Sequence, residues 1–145
     1  MDPSRRDLAA LLPLLLAARS ARAEEGAPLP SECYSFRDLS VKINPKTHAE
    51  TRQVFNGITH DGYPIDLHIT TMPPGQMPHP PHHHVHEEMM MVQQGKLEVT
   101  ISGKTSVVGP GSVIYVRSND EHGLKSVGDG PAQYFVLTIG NQAKA

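Results

Sequence analysis

The chain has 145 residues, 38% of them hydrophobic, with 13 basic against 15 acidic side chains and a net charge of −2. That length holds one domain. The balance of charge leaves no basic stripe for a nucleic-acid partner, and a single cysteine, Cys33, excludes an intrachain disulfide.

The first 23 residues read as an export signal peptide. Ser4-Arg5-Arg6 gives a positive start, residues 8 to 18 form an apolar run too short to span a bilayer, and Ala21-Arg22-Ala23 is a small-x-small cleavage site before Glu24. The paired arginines, with Leu8 two positions on, resemble a twin-arginine signal. An uncleaved anchor or an amphipathic helix is the rival reading. Cleavage after Ala23 leaves 9 basic and 13 acidic residues, a net charge of −4. The mature protein is thus expected to be periplasmic or secreted, and free of the membrane once the signal is gone. Residues 24 to 50 read as leader and arm, beginning with a flexible stretch of proline, glycine and acidic residues. Cys33 reads as a half-buried thiol. Ser31-Glu32 before it lacks the small apolar residues of a lipid-anchored cysteine.

Beyond the leader, short β-like runs alternate with turn signals. The pattern predicts strands at residues 35–36 with 41–43, then 52–55, 65–71, 88–93, 96–101, 105–108, 112–116, 122–126 and 133–138. Punctuation falls at Asn56-Gly57, Asp61-Gly62, Pro73-Pro74-Gly75, Gln94-Gly95, Ser102-Gly103, Gly109-Pro110-Gly111 and Gly128-Asp129-Gly130-Pro131. Ser102-Gly103 between two alternating runs predicts a tight hairpin. Leu97, Val99 and Ile101 alternate inward, as do Met90 and Val92, while Met89 and Met91 face out. Residues 112–116 carry apolar groups on both faces, which predicts a strand covered on two sides. Tyr134, Val136 and Thr138 alternate with Phe135, Leu137 and Ile139, so the last strand also expects a covered outer face. No window after the signal has a helical period, and many short strands argue for an antiparallel barrel or two-sheet architecture.

The densest chemistry lies in His82-His83-His84-Val85-His86-Glu87-Glu88, with Gly95 downstream. The spacing is His-x-His-x3-Glu-x6-Gly. Imidazoles and a carboxylate suit first-row divalent metals. If the run is a strand, positions 82, 84, 86 and 88 share one face. Alone, such a run is equally an exposed His-rich tract or a polar loop. A second element follows, from Pro110-Gly111 through an apolar strand and a polar turn to His122.

Together these segments resemble the two motifs of the cupin family. The first matches from His82 to Gly95, with Gly75 one residue further upstream than the usual glycine. The second keeps Gly111 and His122 but has Arg117, Asn119 and Ser126 where the family has proline, glycine and asparagine. The resemblance covers roughly residues 50 to 140. It implies an all-β fold with one jelly-roll barrel at 51–140, and a homodimer packed through the outer sheet face; the alternative cover for that face is the chain's own arm, residues 34 to 43.

The resemblance also implies a metal held by His82, His84, Glu88 and His122. Three imidazoles and one carboxylate leave two positions of an octahedral ion for water, oxygen or a bidentate ligand. The ion is one divalent transition metal, of Fe, Mn, Zn, Ni, Co or Cu. Twin-arginine export of a folded chain would favour iron or manganese loaded in the cytoplasm. His86 is open to several readings: a partner that orients a ligand, an alternate ligand, an acid–base group or a solvated side chain. His83 points away, His79 sits at the rim, and His48, His60 and His68 read as isolated structural residues. Glu87 faces out. Arg117 either clamps a substrate carboxylate or forms a surface salt bridge, and Glu121 is either a base or a solvated turn residue. No catalytic group reaches motif strength. The expectation is a metal-dependent enzyme acting on a small organic acid or phenolic compound, by oxygenation, decarboxylation or isomerisation. A non-catalytic module binding metal or a small ligand through the same residues is the alternative.

Overall fold

A computed structural model describes residues 27–140, so the expected export signal lies outside the described residues. Among the described residues, nine strands and one short turn of 3-10 helix, Phe36–Asp38, make up the regular structure. The strands are β1 (Val41–Ile43), β2 (Glu50–Ile58), β3 (Pro64–Met72), β4 (Glu87–Gln94), β5 (Leu97–Ile101), β6 (Lys104–Val108), β7 (Val113–Val116), β8 (His122–Ser126) and β9 (Ala132–Ile139). A six-stranded sheet in the order β1-β2-β3-β9-β4-β7 faces a three-stranded sheet in the order β6-β5-β8. Each pairing between these strands is antiparallel. This is the expected all-β jelly roll.

Alternation builds the core. Met90 and Val92 from β4, Leu97 and Val99 from β5, Ile114 and Val116 from β7, and Tyr134 and Val136 from β9 are all buried between the sheets. Ser102 and Gly103 both adopt positive φ, 46° and 78°, and join β5 to β6 in a two-residue hairpin. That conformation matches the right-handed twist of the paired strands.

Three local expectations are corrected. Residues 35 and 36 form no strand: Asp38 N–H donates to the Ser35 carbonyl and closes the 3-10 turn. Asn56-Gly57 is not a turn but lies inside β2, paired with Asp66 and Ile65. Gly57 is small there because the Leu29 side chain packs on it; an added Cβ would lie 2.8 Å from Leu29 Cδ2. The third correction concerns β7, where Val113 and Tyr115 remain 60% and 50% exposed. β7 is the far edge of the large sheet, whereas the arm crosses the opposite half. Tyr34, Phe36 and Leu39 border a cavity with Ile69 and Phe135. Ile69 is accordingly buried on the outer face, outside the apolar core.

Gly95 bears the tightest backbone approach. Its φ is +78°, and a Cβ would stand 2.5 Å from the Pro131 carbonyl oxygen and 2.7 Å from Ala132 Cα. Gly111 has a similar φ of +84° with nothing within 4 Å. Gly111→Ala therefore meets only the left-handed penalty, about 1–2 kcal/mol. Gly95→Ala adds a clash with backbone and is expected to cost roughly 3 kcal/mol or more. Urea unfolding of both variants measures the difference, and equal losses would contradict it.

Candidate metal centre

The centre is assembled by backbone before side chains. His82 N–H donates to the His122 carbonyl at 3.0 Å, and His122 N–H returns a bond to the His82 carbonyl at 2.8 Å. The two residues form an isolated antiparallel bridge. Asn119 N–H adds a bond to the His84 carbonyl at 2.8 Å. Asn119 has φ +63°, in the left-handed region that asparagine tolerates better than most residues. It thus performs the turn where the family resemblance expects glycine. At Ser126, another departure, the backbone bonds Gly75 and Gln76 and ties their loop to β8.

The expected strand face does not exist upstream of Glu87. Residues 82–86 are irregular, and β4 starts only at Glu87. Even so, His82, His84 and His122 come together, with one ligand atom from each lying within 4.8 Å of the others. Cross-bonds to the start of β8 and the turn before it achieve this, not strand alternation. Glu88 Oε2 lies 3.0 Å from His122 Nε2 and 3.8 Å from His84 Nε2. The four side chains singled out by sequence therefore meet at one place.

Ring orientation is fixed at two of the histidines. His84 Nδ1 lies 2.9 Å from the His86 carbonyl, and His122 Nδ1 lies 2.9 Å from the Asp120 carbonyl. A carbonyl can only accept, so each Nδ1 carries a proton and, in the neutral ring, Nε2 is the nitrogen with the lone pair. His122 Nε2 is buried without an aligned hydrogen bond, despite the nearby Glu88 oxygen, and His82 Nδ1 is also buried and unpartnered. Donor atoms that crowd together without bonding one another fit a cation placed among them. By donor chemistry the set fits a first-row divalent ion.

Charge is arranged to match. Burial, followed by the nearby His79, His122 and His84, lowers the His82 pKa to about 4. Burial also works to lower His122, but the adjoining Glu88 carboxylate and the Asp120 carbonyl outweigh it and raise His122 above the ordinary value. Burial would raise Glu88, yet His122 and its histidine neighbours hold it below the usual carboxylate range.

The remaining candidates take clear positions. The His86 ring stacks on His84 at 3.6 Å and 11°, so this residue supports a neighbour with both ring and carbonyl. His79 is exposed and meets the His82 ring edge-on at 4.1 Å. His83, Glu87 and Glu121 are exposed. Arg117 is no substrate clamp. Its guanidinium pairs with Asp120 at 3.1 Å, and its side chain is 74% exposed. Cys33 is exposed, not half-buried. Sequence reasoning missed His68. It lines a cavity of about 260 Å³ together with Glu88, His122, Thr51, Thr70 and Met90. Its link to Asp66, two residues earlier on the same strand face, was the available signal.

Comparison with known proteins agrees with this picture. Residues 68–139 match the cupin domain family. No curated protein matches the sequence. KdgF from Halomonas sp. superimposes with a TM-score of 0.67 at 15% identity, over 79% of this chain and 97% of that one. The polyketide cyclase RemF from Streptomyces resistomycificus gives 0.61 at 18%, over 80% and 88%. A predicted oxalate decarboxylase from Thermotoga maritima gives 0.63 at 14%, over 76% and 100%. At such identities the likeness establishes the fold. Residues 68–139 are thus similar to the cupin domain, and the fold is the cupin jelly roll.

The opposed shifts of two histidines predict how metal uptake depends on pH. His82 is neutral above about pH 4 and surrenders no proton to an incoming ion near neutrality. His122, raised by Glu88, remains partly protonated there and must lose its proton to bind. Protons released per zinc ion are expected to fall as pH rises from 6 to 8. Titration calorimetry in buffers of differing ionisation enthalpy measures this, and a pH-independent value would contradict it.

Proposed function

We propose that this chain is an exported, metal-dependent cupin enzyme in which His82, His84, Glu88 and His122 hold one divalent transition metal ion. The observation that carries the reading is the convergence of three imidazoles, with buried nitrogens of His82 and His122 unpartnered, beside a carboxylate on a cavity wall. The ion would supply Lewis acidity and two positions for ligand oxygens. A cavity of about 260 Å³ is below the range for drug-sized ligands. A molecule with few heavy atoms fits, such as a small organic acid or a phenolic compound. The polar groups of Thr51, Thr70 and His68 on the walls support an oxygen-rich ligand. Reactions in keeping with such a ligand are oxygenation, decarboxylation and isomerisation; decarboxylation is the activity in the name of the Thermotoga neighbour. The paired arginines and cleavage site at the N-terminus support a periplasmic or secreted location. Met91, Val113 and Tyr115 on the uncovered outer face, 40%, 60% and 50% exposed, support pairing of two copies there.

Metal analysis of the protein from its native compartment is expected to find about one ion per chain. His84→Ala is expected to lower that content about tenfold or more, and His83→Ala to leave it unchanged. Equal occupancy in the two variants would contradict the ligand set. Iron- and manganese-loaded protein is then expected to consume oxygen, or release carbon dioxide, with small carboxylates or catechols. Metal binding without turnover of either class would reduce the protein to a binding module.

A further inference from the structure

Asp66 and His68 form a second polar cluster that the ligand set does not use. Both project from β3 toward the interior of the barrel. His68 Nδ1 lies 3.0 Å from Asp66 Oδ1. The other carboxylate oxygen, Asp66 Oδ2, accepts from Gln53 Nε2 at 2.6 Å and from Asn56 Nδ2 at 2.8 Å. Asp66 is 8% exposed, so this carboxylate is fixed on both oxygens away from bulk water. Burial alone would raise its pKa, but the bonds from His68, Asn56 and Gln53 outweigh it and hold Asp66 below the ordinary value. An ionised Asp66 can only accept, so His68 Nδ1 carries the proton. Nε2 is left with a lone pair on a ring that lines the cavity. Neither residue belongs to the apolar core.

We propose that His68 Nε2 takes the proton of an ionisable hydroxyl on a molecule held at the metal centre, with Asp66 as the positioning residue behind it. The inference rests on the metal reading above. The hydroxyl O–H bond breaks, an Nε2–H bond forms, and the electron pair stays on the bound oxygen. The imidazolium that results is stabilised by the Asp66 carboxylate. The other titratable groups on the cavity are Glu88 from β4, His122 from β8, Tyr134 from β9 and His79 from the loop before β4. Glu88 and His122 belong to the proposed ligand set. Tyr134 is held protonated by burial, and His79 is exposed at the rim. Two ligand sources share the required chemistry, phenols and hydroxy acids.

The test uses 15N-histidine NMR of the zinc-loaded protein, with 4-nitrocatechol and glycolate as probes. His68 is expected as the Nδ1–H tautomer before either probe is added. One probe or both should convert it to the imidazolium; response to the catechol alone assigns phenols, and response to glycolate alone assigns hydroxy acids. Asp66→Asn should abolish both the tautomer preference and the conversion. His68→Gln should bind zinc as the parent does and bind the responding probe at least tenfold more weakly. An Nε2–H tautomer in the parent protein, or His68 signals unmoved by both probes, would overturn the proposal. Failure to bind zinc would instead sink the metal reading, whereas the His68 tautomer remains measurable on the same sample.

Discussion

Two backbone hydrogen bonds between His82 and His122 set the geometry on which the centre depends. They join segments forty positions apart, neither of which is in regular structure on its N-terminal side. Once the bridge is made, the imidazoles of 82 and 122 stand 4.7 Å apart between ring centres, and that of His84 lies 4.8 Å from His122. The Asn119 bond to the His84 carbonyl fixes the third ring's backbone. Short bonds of this kind contribute only about 1 kcal/mol each. Their larger effect is to fix in advance where the donors stand, so that an ion need not order them on binding.

Electrostatics suits the cluster to a cation. His82 Nδ1 and His122 Nε2 are buried without a hydrogen-bond partner, which is costly in an apolar barrel. Glu88 offsets part of that cost by drawing a proton onto His122, but the paired atoms are poorly aligned for a hydrogen bond. A divalent ion would satisfy the same atoms together and displace the proton. Met90, Leu124 and Val136 provide apolar surface around the polar floor of the cavity, which strengthens charge interactions there. Across the cavity, the Asp66–His68 pair supplies a group with the opposite task, accepting a proton.

Most of the fold was legible in the sequence because it depends on local alternation. β4, β5 and β9 appear in the burial pattern as they do in the order of apolar residues, and Ser102-Gly103 specifies its hairpin locally. Misreadings occurred where distant segments decide the outcome. Gly57 resembles a turn residue, but Leu29, far away in sequence, requires its small size. Val113 and Tyr115 look covered because both faces of β7 are apolar, whereas only the sheet order reveals that the arm crosses the opposite half. His82, His84, Glu88 and His122 were legible as a group from their spacing. Their shared orientation does not come from strand alternation, since residues 82–86 lie outside β4. For His68 the spacing to Asp66 was the one signal, and the side chains that hold Asp66 come from the neighbouring strand.

A crystal structure of the metal-loaded protein tests most directly whether one ion sits among these four side chains. Anomalous scattering at the metal edge should give a single strong site, roughly 2.0–2.2 Å from a nitrogen of each of His82, His84 and His122 and from an oxygen of Glu88. An anomalous peak elsewhere on the chain, or one coordinated without His122, would contradict the claim.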